Sequence, residues 1–218
     1  MKRIIIIYEG PTEQEFCKDV LYPYFSAKDI YIETSTIKSS HGGIVAWNTL
    51  KKRIEMHLKQ DETAYVTTFF DYYGVKDSYN YPGWQEAKSI TDKSDRIGFL
   101  EEAMRSDLPA ELRKRFIPYI QLHEFEGLLF CKMDVFTSNF EPAEAKLSEI
   151  EGIINAFPNP EDINNGSVTA PSKRLERLIP GYSKIVYGAC LASDTGLDTI
   201  RQKCLRFNAW IEQLETIA

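Results

Sequence analysis

The stretch from Lys2 to Tyr8, KRIIIIY, constrains the fold of this chain more than any other part of its sequence. Four consecutive isoleucines have no polar face, so a strand built from them needs apolar cover on both sides. Such a strand is typical of a parallel sheet with helices on its two faces. With 218 residues, 43% of them hydrophobic, the chain is long enough for one sizeable α/β core with helical additions.

The beginning of the chain also bears on its location. The apolar run is closed by Tyr8 and Glu9, too early for a secretory signal or a membrane span. The four cysteines lie far apart with no CxxC pair, which favours reduced core residues over a disulfide framework or a zinc site. We therefore expect a cytoplasmic protein.

The net charge of −6 argues against a protein that coats nucleic acid unaided, but leaves room for local basic patches.

Apolar periodicity predicts an alternation of strands and helices after the first strand. Pro11, with the capping-box spacing Thr12-x-x-Glu15, marks the start of a helix that runs to about Phe25. The pattern then continues as β-α-β-α-β, and HEFEGLLF prolongs a fourth strand. The further predicted strands are Ile30–Ile37, Ala64–Phe70 and Phe116–Leu122, and the further predicted helices are Ile44–Leu58 and Lys93–Ser106.

The last third of the chain shows a different pattern. Beyond about Asp134 we find no strand pattern, and helices are predicted near Pro142–Phe157, Pro171–Ile179 and Leu197–Leu214. The sequence therefore predicts an α/β domain over residues 1–133 and a helical C-terminal extension, residues 134–218, that packs on it.

Carboxylates follow three of the predicted strands. Glu9 follows the first strand, Asp71 follows the third, and Glu124 and Glu126 lie where the fourth gives way. Ligands of open parallel sheets gather at the carboxyl ends of the strands, so these side chains should meet at one edge. Oxygen ligands brought together in this way suit Mg²⁺ or Mn²⁺.

Four motifs carry a resemblance to a known family. EGPTEQEF, FFDYYG, HEFEGLLF and APSKRL, in this order, resemble an uncharacterised Toprim-like family that is often encoded beside an AAA/ABC-type ATPase in prokaryotic defence loci. This resemblance spans nearly the whole chain. A broader one, to the Toprim domains of topoisomerases, primases and OLD-type nucleases, covers about residues 1–130 and implies a Toprim-like (Rossmann-like) fold.

The Toprim resemblance also implies roles for individual residues. The glutamate after the first strand of a Toprim domain acts as a general acid or base, and a later DxD pair holds the metal. The chain departs from that pattern because Tyr73 stands where the second acid would be. Another carboxylate must replace it, or the site is damaged. The predicted catalytic residues are Glu9 and Glu13, and the predicted metal ligands are Asp71 and, as the replacement, Glu124 or Glu126.

Each of these acids has a plainer interpretation. Asp71 would serve as well to cap a turn after its strand, and Glu13 or Glu15 to place a charge in a first helical turn. Alternation would turn Glu124 and Glu126 to one side of a strand, an argument that holds only if this stretch is extended.

Two further groups are candidate nucleic-acid contacts. Tyr72 and Tyr73 would stack on unpaired bases or pack a loop onto the body. Lys173 and Arg174 would contact phosphates at a helix start or form a solvated helix face. The turn at Ser39–Gly43 lacks the GK[ST] of a P-loop, so we do not expect ATP hydrolysis by this chain.

Together these features predict a Mg²⁺- or Mn²⁺-dependent nuclease that acts on DNA or RNA, with an ATPase partner implied by the resemblance alone. The alternatives are a binding or regulatory subunit that has lost catalysis, and a phosphatase acting on a small substrate with the same carboxylates.

Overall fold

The predicted α/β fold, a parallel sheet flanked by helices with a helical C-terminal region, is confirmed. The computed structural model describes residues 2–37, 43–163, 166 and 168–217, so the turn predicted at Ser39–Gly43 lies almost wholly outside the described residues. The described strands are β1 (Lys2–Tyr8), β2 (Ile30–Thr36), β3 (Tyr65–Asp71), β4 (Phe116–Ile117) and β5 (Ile120–Gln121).

The isoleucine run lies at the centre of the sheet. The strand order is β2-β1-β3-β4, β5 pairs with β3, and every pairing is parallel. Ile4 and Ile6 enter the core on one face of the sheet, and Ile5 and Ile7 enter the core on the other. Both faces of β1 are therefore covered, which is why the strand tolerates no polar alternation.

Helices cover both faces. One face carries the helices that follow β1 together with the C-terminal helices, and the other carries the helices Trp47–Gln60 and Lys93–Ser106. The helices are α1 (Pro11–Phe16), α2 (Tyr22–Ser26), α3 (Trp47–Gln60), α4 (Trp84–Ala87), α5 (Lys93–Ser106), α6 (Ala110–Arg113), α7 (Met133–Asn139), α8 (Leu147–Ala156), α9 (Pro171–Leu178), α10 (Ala189–Thr195), α11 (Leu197–Lys203) and α12 (Leu205–Glu215).

Several helix boundaries differ from the predicted ones. A π-helical turn, Cys17–Leu21, joins α1 to α2, so the predicted first helix is continuous but not regular. The helix predicted over Pro142–Phe157 begins only at Leu147. The one predicted over Leu197–Leu214 is interrupted at Cys204, whose backbone is extended at φ −105° and ψ 95°.

The predicted fourth strand is interrupted by Pro118. Proline has no N–H for the ladder, so β4 and β5 are two short strands. The hydroxyl of Thr68 replaces the missing ladder bonds, because it accepts from Tyr119 N–H at 3.0 Å and donates to Tyr119 C=O at 2.9 Å. This arrangement explains a fully buried threonine in β3.

The prediction that HEFEGLLF prolongs the strand is wrong. His123 has a positive φ of 68°, which ends the extended chain, and Phe125–Leu129 forms a 3₁₀ turn. The argument that alternation turns Glu124 and Glu126 to the same side therefore fails.

The C-terminal helices pack on the sheet through aromatic contacts. Trp210 of α12 stacks on Tyr119, with ring centroids 4.4 Å apart, and its indole N–H donates to Thr67 at 2.8 Å. Phe69 of β3 also contacts Trp210, at 5.2 Å between centroids. The C-terminal helices thus complete the core on this face of the sheet.

Cys17, Cys131 and Cys204 are buried free thiols, as predicted, but Cys190 is exposed on α10. Within the part of the chain that the structure describes, no helix combines the length and the apolar character needed to cross a membrane.

Candidate active site

The carboxyl ends of β1 and β3 bring two predicted acids together. Tyr8 pairs with Phe69, so Glu9 and Asp71 leave the sheet side by side. The backbone N–H of Asp71 donates to Glu9 Oε2 at 3.4 Å. A Cβ on Gly74 would lie 3.5 Å from Glu9 Oε2, so the chain after Asp71 runs close against this carboxylate.

Asp71 is held by a different segment rather than by its own turn. Its Oδ1 accepts a hydrogen bond at 2.9 Å from the backbone N–H of Phe125, which begins the 3₁₀ turn. This bond ties the end of β3 to the segment that carries Glu126.

Glu13 is buried in the first turn of α1, beside Glu9. Its Oε2 accepts from the Gly10 N–H at 3.0 Å, which makes Glu13 the residue that closes the helix start. The capping box predicted between Thr12 and Glu15 is therefore wrong, and Glu15 instead pairs with Lys18 at 3.1 Å on the surface.

Glu126 lies in the 3₁₀ turn and is completely buried. The ammonium of Lys184 lies 2.9 Å from its Oε1, but neither carboxylate oxygen has a partner of good hydrogen-bond geometry among the described residues. The hydroxyl of Tyr182, two residues before Lys184, is likewise buried and unpartnered in the described part of the chain.

The four acids influence one another's ionisation. Burial raises the pKa of Glu9, Glu13 and Glu126, and it raises that of Asp71 well above its usual range. The neighbouring carboxylates Glu13, Glu9 and Glu126 raise the pKa of Asp71 further. We call Glu9, Glu13, Asp71 and Glu126 the acidic cluster.

Lys184 is a cationic side chain in contact with this cluster, and no sequence pattern predicted it there. Burial alone would lower its pKa, but Glu126 and Asp71 outweigh that effect and the pKa is raised. Its ammonium in turn lowers the pKa of all four acids. Lys184 is over 100 residues from Asp71 along the chain and carries no local motif, so only the folding of the C-terminal region on the sheet brings it here.

Glu124 is half-buried, and its carboxylate binds the backbone at the start of another helix. Its Oε2 accepts at 2.9 Å from the backbone N–H of Ser172, at the start of α9. The helix start predicted to receive a phosphate thus already holds a carboxylate of the protein. Of the two replacement acids, Glu126 is the one whose charge raises the pKa of Asp71.

The four residues predicted to contact nucleic acid differ in exposure and in the partners that they already have. Lys173 is exposed and pairs with Glu176 at 2.6 Å, whereas Arg174 donates to the Thr169 carbonyl at 2.8 Å. Tyr72 packs on Trp84, with ring centroids 5.6 Å apart, and Tyr73 is 46% exposed. Of the two tyrosines, Tyr73 is the freer to stack on a base.

The charges of the four acids affect one another, but their side chains do not form a ready-made metal coordination shell. Among the described residues, no three His, Cys, Asp or Glu side chains are already placed to hold a metal ion. The site is therefore a cluster of oxygen donors around one ammonium.

Comparison with curated proteins and with solved structures gives no match. A family model described as a domain of unknown function (DUF4276) matches residues 8–215, which include all the residues of the site. By that match over nearly its whole length, the chain belongs to the DUF4276 family.

Proposed function

We propose that this protein is a metal-dependent phosphodiester nuclease of the Toprim type. The observation that carries the proposal is the condition of Glu126, a completely buried carboxylate whose Oε1 lies 2.9 Å from the Lys184 ammonium and whose Oε2 has no hydrogen-bond partner among the described residues. A buried acceptor oxygen without a donor is costly. A divalent cation with its bound water would satisfy this oxygen, and Asp71, tied to the same 3₁₀ turn through the N–H of Phe125, would supply a second carboxylate.

The donors fit Mg²⁺ or Mn²⁺ in chemical type and in charge. Asp71 and Glu126 would hold the ion, with Glu124 as the nearby alternative, because hard cations prefer carboxylate oxygens. Oδ1 of Asp71 is engaged by Phe125, so we expect Oδ2 to face the ion. When bound, the ion would polarise a phosphate and activate water.

Glu9 and Glu13 would handle protons. Burial raises the pKa of both carboxyls, and a general acid or base works best when its pKa approaches the working pH. Glu9 accepts a hydrogen bond from Asp71 N–H, which fixes its position next to the proposed metal ligand. Glu13 holds the Gly10 backbone and thereby the turn that carries Glu9.

The Toprim resemblance supports a nucleic-acid substrate, DNA or RNA, and an AAA/ABC-type ATPase partner in a prokaryotic defence system. Tyr73 and Lys173, both exposed, are the proposed contacts with the strand, with Tyr72 and Arg174 next to them. The protein would then be the effector subunit that cuts, and the ATPase would control it.

The test is nuclease activity with Mn²⁺ in Glu9→Gln and Asp71→Asn proteins. Both amides keep an oxygen that can accept the observed backbone hydrogen bonds, so the fold should persist while proton transfer or metal binding is lost. We expect a loss of at least about 100-fold in cutting rate. Glu15→Gln, on the surface of α1, is the matched control. Full activity in the Glu9 and Asp71 variants would refute the proposal.

A catalytically inactive binding or regulatory subunit of an ATPase complex is the second candidate. Tyr73 in place of the second DxD acid favours it, because an exposed phenol does not replace a carboxylate ligand. Wild-type protein that binds an ATPase partner but binds no Mn²⁺ at millimolar concentration would decide for this alternative.

A further inference from the structure

The segment Gly181–Gly188, which we call the strap, contacts both α1, which carries Glu13, and the 3₁₀ turn Phe125–Leu129, which carries Glu126. Its second half, Lys184–Gly188, is a π-helical turn that leads into α10. Gly188 packs directly on the start of α1, since a Cβ there would lie 2.9 Å from Thr12 Cγ2. The strap therefore rests on the helix that carries Glu13.

The strap turns the end of one cationic side chain and one phenol toward the acids, and it leaves two aliphatic side chains exposed. Lys184 places its ammonium against Glu126, and the buried hydroxyl of Tyr182 lies in the field of Glu126 and Glu124. Ile185 and Val186 are 56% and 65% exposed. Tyr187 packs on Phe140, with ring centroids 5.4 Å apart, so apolar packing and the Lys184–Glu126 ion pair together hold the strap in place.

The acidic cluster contains four carboxyl groups, and Lys184 brings one positive charge to it. The ammonium of Lys184 contacts Glu126 at 2.9 Å, and its charge also lowers the pKa of Glu9, Glu13 and Asp71. The two members of the ion pair also differ in freedom, because the Lys184 side chain is 45% exposed and that of Glu126 is 1% exposed. The Lys184 side chain can turn its ammonium into water, whereas the Glu126 carboxylate stays buried in the fold.

We propose that Lys184 is the resident counter-ion of the acidic cluster and that a divalent cation displaces it. The inference rests on the proposed metal site and adds its regulation, since ammonium and cation would compete for the same carboxylates. Without the ammonium, the completely buried Glu126 would lose its cationic partner, and the folded state would depend more strongly on the metal.

Two opposite effects of Lys184→Met follow. The variant should bind Mn²⁺ more tightly, by about 5- to 150-fold, the usual span of a coupling between two ligands of one site. It should also melt at a lower temperature than the wild type without metal, and Mn²⁺ should raise its melting temperature more than that of the wild type. A lysine that served only to contact substrate would leave Mn²⁺ affinity unchanged.

The experiment is Mn²⁺ titration by calorimetry, with thermal unfolding followed by circular dichroism with and without Mn²⁺. Lys173→Met, which removes an exposed lysine paired with Glu176, is the matched control. Lys184→Arg keeps the positive charge and should behave as the wild type does. If Lys184→Met folds only when Mn²⁺ is present, the competition is also supported.

Equal or weaker Mn²⁺ binding by Lys184→Met would overturn the counter-ion role and leave the metal site standing. Failure of Lys184→Met to fold even with Mn²⁺, while Lys184→Arg folds, would overturn it too. Absence of Mn²⁺ binding in both the wild type and the variant would instead overturn the proposed function together with this inference.

Discussion

Glu215 links three elements through one carboxylate. It accepts a hydrogen bond from the hydroxyl of Tyr24 and pairs with Arg201 at 3.0 Å and with Lys28 at 3.1 Å. Burial tends to raise its pKa, but the hydrogen bonds from Tyr24, Arg201 and Lys28 outweigh it and lower the pKa to about 2. α2, α11 and α12 are joined at this point.

The low pKa of Glu215 predicts a specific acid sensitivity. The folded state holds the proton less tightly than the unfolded state, so the stabilisation is complete above about pH 4.5 and is lost as the pH falls toward 2. Its size is about 1 kcal/mol, because solvent reaches the carboxylate and screens its ion pairs. Urea unfolding between pH 6 and pH 3 should therefore show a weaker pH dependence in Glu215→Gln than in the wild type. Glu212→Gln, an exposed residue of the same helix, should follow the wild type; identical slopes in all three proteins would contradict this account.

At the scale of single residues, the sequence predicted which acids lie at the ends of the strands. It did not predict which residues from distant parts of the chain contact them. Glu9 and Asp71 follow apolar runs, and parallel strands end at the same edge, so their meeting follows from local pattern. Lys184 has no such signal because it arrives on an irregular segment from the other end of the fold. Glu126 was predicted for the wrong reason, since a turn and not an extended strand brings it to Asp71.

At the scale of elements, α12 begins on a carboxylate from another segment. Cys204 stands at the cap position and offers no oxygen to the first N–H groups. Glu161, buried in the loop before α9, accepts from the N–H groups of Arg206 at 2.7 Å and Phe207 at 3.1 Å. The helix that carries Trp210 is thereby fixed against the sheet.

Removal of this cap should destabilise the whole fold. Glu161→Ala leaves two buried N–H groups without an acceptor, and we expect a loss of about 2 to 3 kcal/mol in the free energy of unfolding. The measurement is urea unfolding at neutral pH. Glu212→Ala, which removes a surface acceptor for Asn208 on the same helix, should cost less than about 0.5 kcal/mol. Equal losses in the two variants would show that Glu161 does not serve as a cap.

Element types were easier to predict than their boundaries. Period and length distinguish β1 or α5 from loops, because the whole element repeats one pattern. The interruptions depend on single events, such as the proline between β4 and β5 and the positive φ of His123. A proline indicates an interrupted strand from the sequence alone, whereas nothing in the sequence indicates that a histidine has a positive φ.

At the scale of the molecule, the sheet and the C-terminal helices share one core. Ile4, Ile6 and Phe69 lie in the same apolar cluster as Phe207 and Trp210. The division between residues 133 and 134 remains a prediction from the sequence pattern. The shared cluster leads us to expect that neither part folds without the other.

The expectation is tested by expressing residues 1–133 alone. One face of the sheet would lose its cover, so we expect aggregation or a state without near-ultraviolet circular dichroism. Co-expression with residues 134–218 should restore a soluble complex. Cooperative unfolding of the isolated 1–133 segment would show that the first part is an independent domain.

The contact between Tyr24 and Glu215 spans 191 residues of chain. A ribosome adding about 5 to 20 residues per second needs roughly 10 to 40 s to cover that distance. After Asp71 has been made and before Lys184 has been made, the nascent chain carries Glu9, Glu13 and Asp71 without the ammonium that contacts the acidic cluster. If the acidic cluster cuts nucleic acid as proposed, its activity would begin only after synthesis has passed α12, the helix that completes the core on one face of the sheet.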